Sequence, residues 1–141
     1  MLEGMTTRLV LADQSEAHFY DVDPIGGALR RVGAMSDPKA QPHLAAHHSS
    51  RSEVTPQQHE AMTFAHQIVR SLESARNAHE FSQLVVIAGP HFIGLLREAM
   101  PKPLAALIVA EIVKDLLHET EDAIRSYLPV TVASAKAHLP T

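Results

Sequence analysis

The sequence predicts an α/β fold built on a mixed sheet, and three observations carry that expectation. Short β-prone segments separated by turn residues fill the chain as far as Met35. A helix-period stretch with a capping signature follows. The apolar run Gln83 to Ala88 (Q-L-V-V-I-A) then reads as a strand buried on both faces, which is typically a parallel one. Antiparallel and parallel strands must therefore share one sheet, with a right-handed crossover placing helices on its faces.

Thr7 to Ala12 is apolar and β-prone, and Asp13-Gln14-Ser15 reads as a turn. Ala17 to Val22 returns, Pro24 and Gly26-Gly27 break it, and Ala28 to Met35 supplies a third strand. Residues 36–54 are loop-like, with Pro38, Pro42 and a histidine pair. Thr55 suits an N-cap, Pro56 suits the first helical position, and Gln58 completes a capping box. Ala61, Phe64, Ala65, Ile68, Leu72 and Ala75 give that helix one apolar face, ending between Asn77 and His79. Gly89-Pro90 ends the buried strand, and Pro90 opens a helix that turns Phe92, Leu95, Leu96 and Ala99 inward until Pro101 and Pro103 stop it.

Residues 104–113 suit a buried helix or a strand. The β-branched Ile108, Val109, Ile112 and Val113 favour a strand from Leu107 to Val113. Leu107, Val109, Glu111 and Val113 share one face of it, and Glu111 requires that face to meet solvent. Glu119, Glu121 and Asp122 sit in the first turns of a last helix, where the dipole favours acids, and the helix runs to Leu128. The order βββ-αβ-αβ-α is that of the ribonuclease H-like architecture: a three-strand antiparallel meander followed by αβαβα.

The chain has 141 residues, 45% of them hydrophobic, which suits a single α/β domain over residues 7–128 between an N-terminus at 1–6 and a poorly ordered tail at 129–141. It has no cysteine, hence no disulfide and no thiol nucleophile. No apolar run approaches the roughly 20 residues that span a bilayer, and the start lacks the apolar core of a secretory signal. The expectation is a cytoplasmic protein without membrane contact. A net charge of −4 argues against general polyanion binding. Against that background Arg30, Arg31, Lys39 and Arg51 form a modest basic zone opposed within it only by Asp37, and these four are the candidates for RNA contact. The plainer reading is a solvated surface loop.

Ten histidines raise the question of a metal. His59 and His66, seven residues apart on one helix, lie about 10 Å apart along its axis, too far to share an ion. His43, His47 and His48 are better spaced, yet without cysteine or a nearby glutamate they make a weak zinc set. Asp13 ends the first strand and Asp115 follows the last, so both could approach one edge of the sheet. Two-metal hydrolysis needs several carboxylates around ions about 4 Å apart, and the buried strand between them carries no acid. The bland alternative is a turn aspartate and a helix-capping aspartate. Gly89, Pro90 and His91 lie where a buried strand meets a helix N-terminus, a favourable place for an anionic ligand. No cofactor signature is present.

Several stretches together resemble one bacterial family: Leu9 to Asp13 with Ala17 to Tyr20, Phe64-Ala65 leading to Ala75-Arg76, Leu84 to Arg97, and Lys114-Asp115-Leu116-Leu117-His118. The resemblance covers roughly residues 7–128 and is to the host-attachment protein family, described as "protein required for attachment to host cells". It implies kinship with the middle domain of eukaryotic and archaeal peptide-release factors, hence a ribonuclease H-like fold and a link to ribosomes or transfer RNA. The Gly-Gly-Gln tripeptide used in peptide release has no counterpart here, since Gly26-Gly27 is followed by Ala28. The leading expectation is a non-catalytic binding domain. The alternatives are a hydrolase of RNA or a nucleotide ester, using Asp13, Asp115, His118 and His91, and a scaffold for cell-attachment components. An edge strand of the meander could also pair across a two-fold axis to make a homodimer.

Overall fold

The computed structural model describes residues 6–37 and 56–129. It opens with β1 (Thr7–Ala12), β2 (Glu16–Val22) and β3 (Leu29–Ser36), paired antiparallel in chain order. Aspartates and glycines build the two reversals. Asp13 Oδ1 accepts the backbone N–H groups of Ser15 (2.8 Å) and Glu16 (2.9 Å), so its side chain sets the first turn. In the second, Gly26 and Gly27 have φ of 94° and 76°, a region that a Cβ disfavours. Asp23 holds that turn by accepting the N–H of Gly27 on its carbonyl and that of Ile25 on its carboxylate.

The chain continues through α1 (Pro56–Asn77), β4 (Gln83–Ala88), α2 (Pro90–Ala99), α3 (Lys102–Ala105), β5 (Ile108–Val113) and α4 (Glu121–Ser126). β4 lies parallel to β1, and β5 lies parallel to β4, giving the order β3-β2-β1-β4-β5. This is the mixed α/β sheet expected, a meander followed by αβαβα, with α3 added.

The departures are at element ends. Ser36, read as loop, closes β3. Pro101 and Pro103 end α2 as expected but also start α3, where a missing N–H breaks no helical bond. Thr120 caps α4 by accepting from the Ala123 N–H at 3.1 Å. Glu119 therefore precedes the helix, which ends at Ser126 and not at Leu128. The expected Thr55 cap, most of the 36–54 loop with Lys39, His43, His47, His48 and Arg51, and the tail beyond Pro129 lie outside the described residues.

β1 and β4 are buried on both faces. Val10, Ala12, Leu84, Val86 and Ala88 turn toward α1, α2 and α3, where Phe64, Ile68, Leu72, Phe92 and Leu96 meet them. Leu9, Leu11, Val85 and Ile87 turn the other way, under Leu116, Leu117, Ile124 and Leu128. Each such fully buried aliphatic side chain contributes about 1.5–3 kcal/mol relative to exposure. β5 alternates, with Ile108, Ala110 and Ile112 half-buried while Val109, Glu111 and Val113 meet solvent. The glutamate is thereby accommodated, and Arg97 on α2 bridges to it. Polar bonds fasten α4 to the β2–β3 hairpin: Glu121 Oε2 accepts the Leu29 N–H at 3.0 Å, and Arg125 Nη2 donates to the Gly26 carbonyl at 2.6 Å. Among the described residues no helix is long and apolar enough to cross a membrane.

Candidate functional site at the carboxyl edge of the sheet

Because β1, β4 and β5 run parallel, their carboxyl ends share one edge of the sheet. That edge collects Asp13 after β1, Gly89, Pro90 and His91 after β4, and Lys114 and Asp115 after β5. Gly89 is the N-cap of α2, Pro90 is its first residue, and Pro90 and His91 are exposed. His91 thus stands at a helix start beside the edge, as its position in the sequence implied.

The two aspartates do not converge. β4 lies between β1 and β5, so the strand ends are separated by roughly 10 Å, two inter-strand spacings. Asp13 is committed to its turn. Asp115 is exposed, and the helix-capping role considered for it belongs to Thr120. Among the described residues no three His, Asp or Glu side chains could hold a metal ion. His59 and His66 are exposed on α1, away from its apolar face.

His118 lies in the electrostatic neighbourhood of a second imidazole. After β5 the chain turns back under the sheet, burying Leu116 and Leu117 against Leu9, Leu11, Val85 and Ile87. This brings His118 close enough to His18 on β2 to oppose its protonation. His18 stands opposite Leu11, on the face that α4 covers, and its side chain is 16% exposed. Tyr20 shares that face and stands opposite Arg31 of β3, so His18, Tyr20 and Arg31 lie side by side. Burial lowers the His18 pKa, and the Arg31 and His118 charges lower it further. Glu16, whose Oε1 lies 3.8 Å from His18 Nε2, and Asp13 act in the opposite sense. Local sequence pattern does not pair His18 with His118, because their proximity depends on the return of the chain after β5. The available signal was the strand alternation that puts His18 and Tyr20 on one face.

Of the basic candidates, Arg30 and Arg31 are exposed on edge strand β3. Arg30 Nη2 lies 3.3 Å from Asp21 Oδ2. An open groove of about 470 Å³ adjoins the same edge, between the end of β5 and α4. It is lined by Lys114, Asp115, Glu119, Ser126 and Tyr127, and the Lys114 ammonium sits 5.3 Å from the centre of the Tyr127 ring.

Residues 9–128 match the family model described as "Protein required for attachment to host cells". The chain belongs to this family. No curated protein matches it. Among solved structures it is similar to an archaeal protein (TM-score 0.58, 9% identity, 93% of this chain and 36% of that one). An archaeal translation termination factor gives a TM-score of 0.58 at 7% identity over 96% of this chain and 39% of that one. The Pelota protein of Thermoplasma acidophilum gives 0.51 at 14% identity over 94% and 34%. At these identities the likeness is one of fold, and this host-attachment chain spans little more than a third of each of those proteins.

Proposed function

We propose that this host-attachment family member is a non-catalytic binding domain whose partner is ribosomal or transfer RNA. The observation that carries the reading is the pair Arg30 and Arg31, exposed on the outer strand of the sheet and adjoining the face that bears His18. Guanidinium groups on a sheet edge can reach phosphate oxygens without entering a groove, and they suit bidentate contact. The fold shared with an archaeal translation termination factor supports a translation-linked partner. A catalytic role is disfavoured because Asp13 is bound in its turn and lies two strands from the end that carries Asp115.

The test is fluorescence anisotropy with labelled transfer RNA, with ribosome co-sedimentation beside it, over a salt series. Contacts through arginine release counterions, so affinity must fall steeply with salt. Replacing Arg30 and Arg31 together by Gln should reduce the logarithmic salt slope by about 2, one for each phosphate contact. Binding that ignores salt, or no binding to either RNA, refutes the reading.

A further inference from the structure

We infer that the outer edge of β5 pairs antiparallel with the β5 edge of a second copy of this chain, so that one sheet runs through an isologous dimer. The sheet ends on β3 and on β5. An edge strand offers its unpaired N–H and C=O groups to any other strand unless something guards it. β3 is guarded twice. Val32 drops out of the pairing with β2, a mid-strand bulge that bends the edge, and Arg30 and Arg31 beside it are exposed charges. β5 lacks both guards over most of its length. Its irregularity falls at Val109, near its start, and Ala110 to Val113 pair regularly with Val85 to Ala88. Val109 and Val113 are 46% and 50% exposed. Glu111 is the one charge on the strand, and both its carboxylate oxygens accept N–H groups of Arg97. Among the described residues no strand pairs beyond β5.

A second copy fits this edge because the strand is symmetric about Glu111. Antiparallel pairing centred there sets Val109 opposite Val113 of the partner subunit, and Ala110 opposite Ile112 of the partner subunit. Both exposed valines then leave water together. Glu111 meets its own counterpart at the two-fold axis, where directly opposed Cβ atoms lie about 4.5–5.5 Å apart. Two bare carboxylates would repel there. With Arg97 supplied by each copy, the cluster carries equal charge of both signs. Moving the axis to Ala110 instead sets the Glu111 carboxylate against Val109 of the partner subunit and loses the valine match. A six-residue edge falls short of the roughly 1,200 Å² buried in a standard stable interface. The dimer is therefore weak and depends on concentration. It uses the edge opposite to Arg30 and Arg31, so it stands apart from the RNA reading.

The experiment is analytical ultracentrifugation of the full chain from micromolar to millimolar protein, with amide hydrogen exchange at both ends of the series. A reversible monomer–dimer equilibrium is expected. Amides within Ala110–Val113 should exchange more slowly at high concentration, and those of β3 should not change. Replacing Val109 and Val113 together by Lys sets like charges opposite one another and should abolish the dimer. Both positions are half exposed, so the monomer should keep the wild-type circular dichroism spectrum. Arg97→Gln leaves the two carboxylates uncompensated and should weaken dimerisation about tenfold, and adding Glu111→Gln should restore it to within about threefold. A chain that stays monomeric throughout overturns the inference, as does a dimer whose protection falls on β3 or elsewhere. A dimer that survives the two lysines overturns it too, and the wild-type exchange pattern decides even where that variant fails to fold. An Arg97→Gln variant that dimerises as tightly as the wild type overturns the pairing centred on Glu111.

Discussion

Arg8 gives the sharpest test of how the meander is held. It lies on the central strand β1 and is 6% exposed, yet it carries a charge. Its Nε lies 2.6 Å from Asp21 Oδ1, its Nη1 lies 3.4 Å from Glu80, and its guanidinium stacks 5.2 Å from the centre of the Phe81 ring. Replacing Arg8 by Met keeps much of the volume but leaves Asp21, whose side chain is 14% exposed, without its close partner. Breaking a buried pair from one side costs about 3–5 kcal/mol. Here Arg30 still faces Asp21 at 3.3 Å, but its side chain is 74% exposed, and such a contact is worth at most about 1 kcal/mol. The expected loss is therefore about 2–4 kcal/mol, or a fall in Tm of roughly 10 °C for a chain of this size. The double variant Arg8→Met, Asp21→Leu removes both charges and should recover to within about 1 kcal/mol of the native protein. Urea unfolding followed by far-ultraviolet circular dichroism measures both. A single variant as stable as wild type, or a double variant no better than the single, would sink the argument that Asp21 depends on Arg8.

Two further outcomes are expected. Thr120→Ala removes the side-chain acceptor for the Ala123 N–H and should cost about 1 kcal/mol, measured by the same unfolding curves, while Thr120→Ser should cost less than half as much. The pH dependence of stability should carry the mark of His18. Burial and the nearby Arg31 charge hold its folded pKa below the ordinary imidazole value of 6.5, so between the two values the unfolded chain binds more protons than the folded one. Stability from this group is fully present above 6.5 and is lost as pH falls toward the folded pKa. His18→Gln should flatten that part of the profile, and an unchanged profile would remove His18 as its source.

Much of the fold was legible because local chemistry and hydrophobic period agreed. Thr7–Ala12 and Gln83–Ala88 are the observed bounds of β1 and β4, since turn residues flank unbroken apolar runs. β5 is a strand and not a helix because its β-branched residues outweigh the run's general apolarity, and solvent on one face makes room for Glu111. What local pattern could not supply was short-element geometry and long-range return. α3 is a single turn built around prolines that also serve as stops. The cap of α4 falls at Thr120 although acids on either side read equally well as a first turn. In the candidate site, the placement of Asp13, His91 and Asp115 at strand ends followed from the element order. The nearness of His118 to His18 did not, because it requires the chain after β5 to double back beneath the sheet.

The fastening of α4 to the β2–β3 hairpin bears on how the chain reaches its native state. Glu121 meets Leu29, and Arg125 meets Gly26, across most of the chain length. Leu9, Leu11, Val85 and Ile87 depend on Leu116, Leu117, Ile124 and Leu128 for cover. During synthesis the meander, α1 and β4 emerge first, and α1 and α2 can close one side of the sheet at once. The other side stays open to water until the last quarter of the chain arrives. An arrested or truncated product therefore presents a flat strip of aliphatic side chains, the kind of surface that chaperones bind and that drives aggregation. The six-residue helix α4 is less a decoration on the sheet than the latch that closes it.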